Sequence, residues 1–294
     1  MKRFLAVSAI LAATSAQAVE LKFGDLNYFF KQNQANIGVD VSTSTYQYRT
    51  GGAKIEKEGY VAQTHVNVGF TDDLYLSLDV DYDWKMKTKG AGRSFHEDGF
   101  TSPRLGVNYR LLKQDNTGFN LDFGGFYRLA SLKEATRGAN GRDGNASNAR
   151  DAAEANVRLG KKWNEANEFY VLAGLIHNLE GEYDVKGGAK VDQDSSTDYY
   201  VGAFYQYRPV NEFMLRIGGT ATKIAEIKND NGTKFKTTDH LDMRFTFNAK
   251  YLLTESMIAN FNYAQSNLQD YKEDGVKVNR RHGHQFGVGV DFLF

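Results

Sequence analysis

Between Leu74 and Trp84 every even position (Leu74, Leu76, Leu78, Val80, Tyr82, Trp84) is apolar or aromatic, while Ser77, Asp79, Asp81 and Asp83 occupy the odd ones. Alternation with period two places the two sets on opposite faces of an extended strand. A helix would scatter the apolar set around its circumference. The same pattern runs through 119–129, 241–251 and 286–294. It recurs with less contrast through 37–49, 58–70, 98–112, 151–163, 168–179, 197–208, 213–224 and 257–268. These segments predict twelve strands, about the 9–11 residues or more that a tilted strand needs to cross a bilayer.

The connections follow a rule of their own. Five short polar turns, centred near 72, 116, 166, 211 and 254, lead into an aromatic residue, Leu or Met and lie 43–50 residues apart. A near-constant spacing points to one repeated unit of two strands, a short turn and a long loop. The predicted long connections are 50–52, 87–97, 131–150, 180–196, 226–234 and 269–279. Short turns on one side and long loops on the other predict an all-β fold, a closed antiparallel transmembrane β-barrel of twelve strands with short periplasmic turns and long extracellular loops. A soluble sandwich would produce the same alternation. Against it stand the aromatic residues beside the short turns and a leader at the N-terminus. Lys2 and Arg3, the apolar run 4–13 and Ala16-Gln17-Ala18 read as a secretory signal peptide over 1–18. The predicted organisation is therefore signal peptide 1–18, a periplasmic N-terminal segment 19–34 and the barrel 35–294.

Composition sharpens this picture. Mean hydropathy is -0.53, and beyond residue 20 no apolar run reaches the roughly 18 residues of a membrane helix. A barrel tolerates that value because only one face of each strand meets lipid. The 2 prolines among 294 residues suit a closed ladder that needs every strand N–H, with Pro103 and Pro209 falling at a strand entrance and a turn. The 36 basic and 36 acidic residues leave no net charge for a nucleic-acid partner. The absence of cysteine excludes disulfides, thiolate metal sites and a cysteine nucleophile.

The C-terminus carries the most specific motif. Phe294 closes the chain, and Phe292, Val290 and Val288 precede it on the same face. With this ending the chain resembles Gram-negative outer-membrane β-barrel proteins of the porin type. No diagnostic motif narrows the likeness further, for example to the major porin-like proteins of predatory bacteria. The resemblance implies outer-membrane lipid and the barrel-insertion machinery as partners, with Val288, Val290, Phe292 and Phe294 as the insertion signal, and the bacterial cell outer membrane as location.

Strand parity then assigns the inward side chains. Asp79, Asp81, Asp83, Arg104, Arg110, Asp122, Arg128, Arg158, Arg208, Arg216, Asp242 and Arg244 are expected to line a pore roughly 24 Å across between Cα atoms, with Asp79, Asp81 and Asp83 facing Arg104, Arg110 and Arg128 at its constriction. An inner wall with segregated charges suits a porin-like channel for passive diffusion of small polar or charged solutes. The alternative is a structural barrel whose lumen is occluded by cross-strand ion pairs and which acts through homo-oligomeric assembly or its surface loops. Small outward residues such as Ala153, Ala173, Ala203 and Ala249 make a homo-oligomer an expectation. Outer-membrane phospholipases and lipid A deacylases place Ser and His together near the rim. None of the six histidines pairs in that way within its hairpin, so no enzyme is expected. Asp79-x-Asp81-x-Asp83 lacks the glycine and glutamate of a calcium loop, and His282 with His284 lacks a third ligand. Neither a metal nor a cofactor is expected.

Overall fold

The computed structural model of the protein describes residues 22–294 apart from 91, 102, 131–134, 140 and 189. The leader expected at 1–18 lies outside the described residues. Barrel strands are β1 (Ala35–Thr50), β2 (Ala53–Thr71), β3 (Leu74–Gly90), β4 (in two halves, Arg93–Phe100 and Arg104–Leu112), β5 (Asn120–Arg128) and β6 (Arg150–Asn164). They continue as β7 (Asn167–Val185), β8 (Ser196–Val210), β9 (Phe213–Ile224), β10 (His240–Thr254), β11 (Met257–Leu268) and β12 (Val276–Leu293). Each pairs antiparallel with the next, and β12 returns to β1, which makes a ring of twelve hydrogen-bonded strands. The halves of β4 flank Pro103, which has no N–H to give the ladder.

The ring is sealed where the chain ends. Ile37 lies opposite Phe292 and Val41 opposite Val288. The Ala35 N–H donates to the Phe294 carbonyl at 2.9 Å, and the Phe294 N–H donates to the Ala35 carbonyl at 2.7 Å. Closure leaves no edge strand, which is the condition for a sheet to stand in hydrocarbon. The outer face is apolar, as alternation requires: Leu76, Phe245, Val288 and Phe294 are all exposed on it. Buried side chains, by contrast, are dominated by polar and charged groups, among them Glu97, Arg110, Asp122, Lys162, Glu168 and Arg208. The core of this protein is its polar lumen.

The hairpins on the long-loop side rise further than expected. Of the residues predicted as a loop, 87–90 continue β3 and 93–97 begin β4, with Thr88 opposite Phe95. The alternation ends at Trp84 because Lys85 forms a bulge with φ of 52°, which shifts the register between Asp83 and Met86. A bulge inserts one residue and so reverses parity: Met86 points inward and is buried. The loop 50–52 is a tight turn in which Gly51 and Gly52 both take positive φ, 53° and 85°, conformations open to glycine. The connection between β5 and β6 carries two short strands. Thr136–Arg137 runs parallel to the end of β7, and Gly144–Asn145 runs parallel to β4 at Glu97 and Asp98. Buried Glu97 anchors that connection. Its carboxylate accepts the Gly138 N–H at 3.1 Å and the Lys57 ammonium at 3.2 Å.

Candidate functional site: a polar lumen closed at one end

Residues 22–30 enter the barrel at its short-turn end and occupy the lumen there. Asp25 is the centre of this contact. One carboxylate oxygen receives the Lys162 ammonium of β6 at 2.9 Å, and the other is bonded by the Arg208 guanidinium of β8. The side chains of Asp25 and Lys162 are completely buried, and Arg208 is nearly so. Glu168 of β7 holds the next turn. Its carboxylate accepts the Asn27 N–H at 3.1 Å and the Gln206 amide at 3.2 Å. The Asn27 carbonyl receives Arg110 of β4 at 3.0 Å, and the Gly24 carbonyl receives Arg216 of β9 at 3.3 Å. Five strands thus place charged or amide groups on one short stretch of chain. Burying this many charges is tolerated because each meets a partner.

Apolar groups complete the seal. Leu26 and Phe29 are buried, and Gly24 lies against the fully buried Met214 and Ile258. Phe29 packs edge-on against Tyr75, ring centres 4.7 Å apart, and the Arg110 guanidinium lies over the Phe29 ring, 4.5 Å from its centre. Beyond it the chain leaves along β2. The Asn33 N–H donates to the Gly69 carbonyl at 3.2 Å, and the Gly69 N–H donates to the Gln34 carbonyl at 2.8 Å. Gly69 is glycine for room, because a Cβ there would fall on the Lys31 carbonyl. Nothing in the alternation of 19–34 announces this placement. The one available signal is Asp25 itself, an acid between Gly24 and Leu26, matched by an excess of inward bases at the short-turn ends of β6, β8 and β9.

Above this seal, Asp122 is gripped by two arginines, Arg110 at 2.7 Å and Arg158 at 2.6 Å. Two chambers follow. The first, of about 470 Å³, is lined by Tyr75, Asp122, Arg158, Tyr170 and Tyr200 among others; the second, of about 540 Å³, by Asp40, His65, Asp81, Arg128 and Asn148. Both include Asp79 and Arg104, which form the waist between them. Arg104 bonds Asp79 at 3.2 Å and Glu154 at 2.8 Å and lies 3.7 Å over the Phe126 ring. Tyr200 donates to Glu154 at 2.6 Å. A side pocket of about 180 Å³ shares Asp40 and Gln63 with the second chamber and holds Arg244, which donates to Gln285 at 3.0 Å.

The residues expected to line the lumen are therefore spread along it. Asp79 meets Arg104, and Asp122 meets Arg110 and Arg158. Arg208 and Arg216 hold the N-terminal segment. Asp81 and Arg128 face the second chamber, and Asp83 stands further up β3, before the bulge. Asp242 lies 3.9 Å from His240 near the long-loop end of β10. Asp79, Asp81, Asp83, Arg104, Arg110 and Arg128 do not meet in a single ring: Arg110 is engaged by the N-terminal segment, and Arg128 by Asn178 of β7 at 3.0 Å. Val288, Phe292 and Phe294 project from the outer wall. His284 meets Tyr263 at 3.0 Å, and among the described residues no three acids or histidines are grouped to hold a metal ion.

No family model and no curated protein matches the sequence. Among solved structures, an outer-membrane channel from Pseudomonas putida F1 is similar with a TM-score of 0.62, covering 94% of this chain and 100% of that one at 14% identity. The fold is a bacterial outer-membrane β-barrel. Weaker likenesses are to the translocator domain of the autotransporter NalP from Neisseria meningitidis (TM-score 0.48, 12% identity, 100% of this chain and 94% of that one). The KdgM porin, solved with disordered oligogalacturonate, has a TM-score of 0.45 at 9% identity over 86% of this chain and 99% of that one. In a barrel of this kind the short turns face the periplasm and the long loops the exterior, so residues 22–30 stand at the periplasmic mouth.

Two outcomes follow from the ionic anchor. Asp25→Ala leaves Arg208 buried without a carboxylate and Lys162 with only the exposed Glu165 at 3.5 Å, and docking of the segment should weaken by about 3–5 kcal/mol. Amide hydrogen exchange at Leu26–Phe29 should accelerate accordingly, while the barrel keeps its heat-modifiable mobility on gels. Gly69→Val should dislodge the segment by collision instead, seen as faster tryptic cleavage after Lys31. Unchanged exchange and cleavage in both variants would show that the anchor does not hold the segment.

Proposed function

We propose that the protein is an outer-membrane channel for passive diffusion of small polar or charged solutes, closed in this conformation at its periplasmic mouth by its own N-terminal segment. The observation that carries the reading is the pair of chambers in series, joined at Asp79 and Arg104 and lined by charged, amide and phenolic groups, with Phe123, Phe126, Leu172 and Ile176 completing the wall of the first. Such polar groups replace part of the hydration shell of a polar solute. The similarity to an outer-membrane channel from Pseudomonas putida F1 supports the channel part of this reading. A structural barrel with an occluded lumen is the second reading, and the buried contact of Asp25 with Lys162 and Arg208 favours it. The two differ in whether the N-terminal segment leaves.

Planar-bilayer recording separates them. The intact protein should give rare or small current steps, and a chain lacking 19–34 should give steps several-fold larger. If the shortened barrel, folded by the gel-mobility criterion, carries no current, the occluded reading stands. Arg104→Glu should move the selectivity of the open pore toward cations, because it replaces the waist's guanidinium with a third carboxylate beside Asp79 and Glu154. An unchanged reversal potential would place the selective constriction elsewhere. We assign Val288, Val290, Phe292 and Phe294 to recognition by the insertion machinery, consistent with their position on the sealing strand.

A further inference from the structure

The outer wall changes character in tiers along β1, β2 and β3. Val41 on β1 and Tyr82 on β3 stand exposed in the apolar band. Tyr60 and Trp84, also exposed and with ring centres 5.8 Å apart, close that band on the long-loop side. The bulge of β3 falls immediately above them. Lys85 takes its φ of 52° there, and Gly59 of β2 makes room for it, because a Cβ at 59 would fall on the Met86 Cα and the Lys85 carbonyl. Two successive side chains therefore share the outer face, and the Lys85 ammonium lies 4.9 Å from the centre of the Trp84 ring. Lys87 follows on that face once Met86 has turned inward. A pocket of about 370 Å³ opens at this level, lined by Thr43, Thr45, Glu58, Lys85, Lys87 and His96 among others. The Glu58 carboxylate is taken by Lys89, and His96 stands 3.5 Å from Asp143. Among the described residues Lys85 and Lys87 make no ion pair.

We propose that this pocket seats a phosphorylated sugar headgroup of the glycolipid that forms the exterior leaflet of a bacterial outer membrane. Lys85 and Lys87 meet the phosphate as two compact cations. Thr43 and Thr45 offer hydroxyls to the sugar that bears it, and the acyl chains run down the wall past Trp84, Tyr60 and Val41. Height along the barrel selects the occupant. The site stands on the long-loop side, directly above the aromatic residues that mark the edge of the hydrocarbon, and headgroups lie at that level. Its volume of about 370 Å³ is far more than one phosphate fills and falls within the roughly 300–1,000 Å³ typical of small-molecule sites. The inference does not rest on the channel reading, because the outer wall binds lipid whether or not the lumen conducts.

The chain supplies its own reporter. Its two tryptophans are Trp84, at the foot of the pocket, and Trp163, which stacks on Phe169 beside a short turn. Trp163→Phe therefore leaves Trp84 as the single fluorophore. This barrel, refolded in a nonionic detergent so that it carries no lipid, is titrated with diphosphoryl lipid A, phosphatidylglycerol or inorganic phosphate. Lipid A should shift the Trp84 emission to shorter wavelength and saturate, at least about tenfold more tightly than phosphatidylglycerol, and inorganic phosphate should leave the spectrum unchanged. Lys85→Gln with Lys87→Gln should weaken lipid A binding by about tenfold or more, in barrels that keep their heat-modifiable mobility. Lys234→Gln with Lys272→Gln, two exposed lysines elsewhere on the long-loop side, should bind lipid A as the parent does. Equal affinity for phosphatidylglycerol would overturn the proposal by showing lysines that only reach into any anionic headgroup layer. The same shift with inorganic phosphate would make the pocket a free-anion site, and unchanged binding in the Lys85/Lys87 variant would place the lipid elsewhere; either result overturns it.

Discussion

The constraint on which the whole structure depends is that hydrocarbon offers no hydrogen-bond partner to a peptide group. A sheet can stand there only as a ring, and this chain meets the condition with paired bonds between Ala35 and Phe294 that join its first strand to its last. Everything else follows from the geometry of that ring. Alternate side chains must face lipid, so Val39, Leu76, Phe245 and Val288 are apolar. The other half are shut into an interior narrow enough for their charges to meet. A soluble protein puts its apolar residues inside; here the inside is where the Asp, Glu, Arg and Lys side chains accumulate.

That interior sets its own rules. A buried charge is stable only with a partner, and the lower lumen obeys closely: Asp122 has two arginines, Arg104 has two carboxylates, and Lys162 and Arg208 share Asp25. The last of these partnerships is unlike the others because Asp25 does not belong to the barrel wall. The bases on β6 and β8 obtain their buried carboxylate from the N-terminal segment, so the electrostatics that stabilise the periplasmic end also close it. Further up, Asp40 accepts the Asn262 amide and Arg128 donates to the Asn178 amide.

Much of this was legible in the chain. The strict alternation from Leu74 to Trp84, the regular spacing of short turns and the terminal Phe294 pointed to a twelve-stranded barrel, and parity assigned each inward acid and base to its face. Two features escaped for physical reasons. Strand ends on the exterior side lie beyond the bilayer, where both faces meet water and alternation carries no signal; Lys87, Thr88 and Lys89 therefore read as a loop although they pair with β4. The bulge at Lys85 compounded this by reversing parity in mid-strand.

What the sequence by itself determined is which side chains face inward, because that depends only on whether a position is odd or even along a strand. Which of them meet depended on the tertiary structure. Arg110 and Arg208 share a face with Asp79 and Asp81, yet they lie at the opposite end of the lumen and grip a segment that carries no periodic pattern. Period two reports a face; height along the barrel depends on strand tilt and register, and the fate of residues 22–30 depends on complementary charges that come together only once the ring has closed. Partnership between charges is a property of distance, and distance across a lumen exists only in the folded chain.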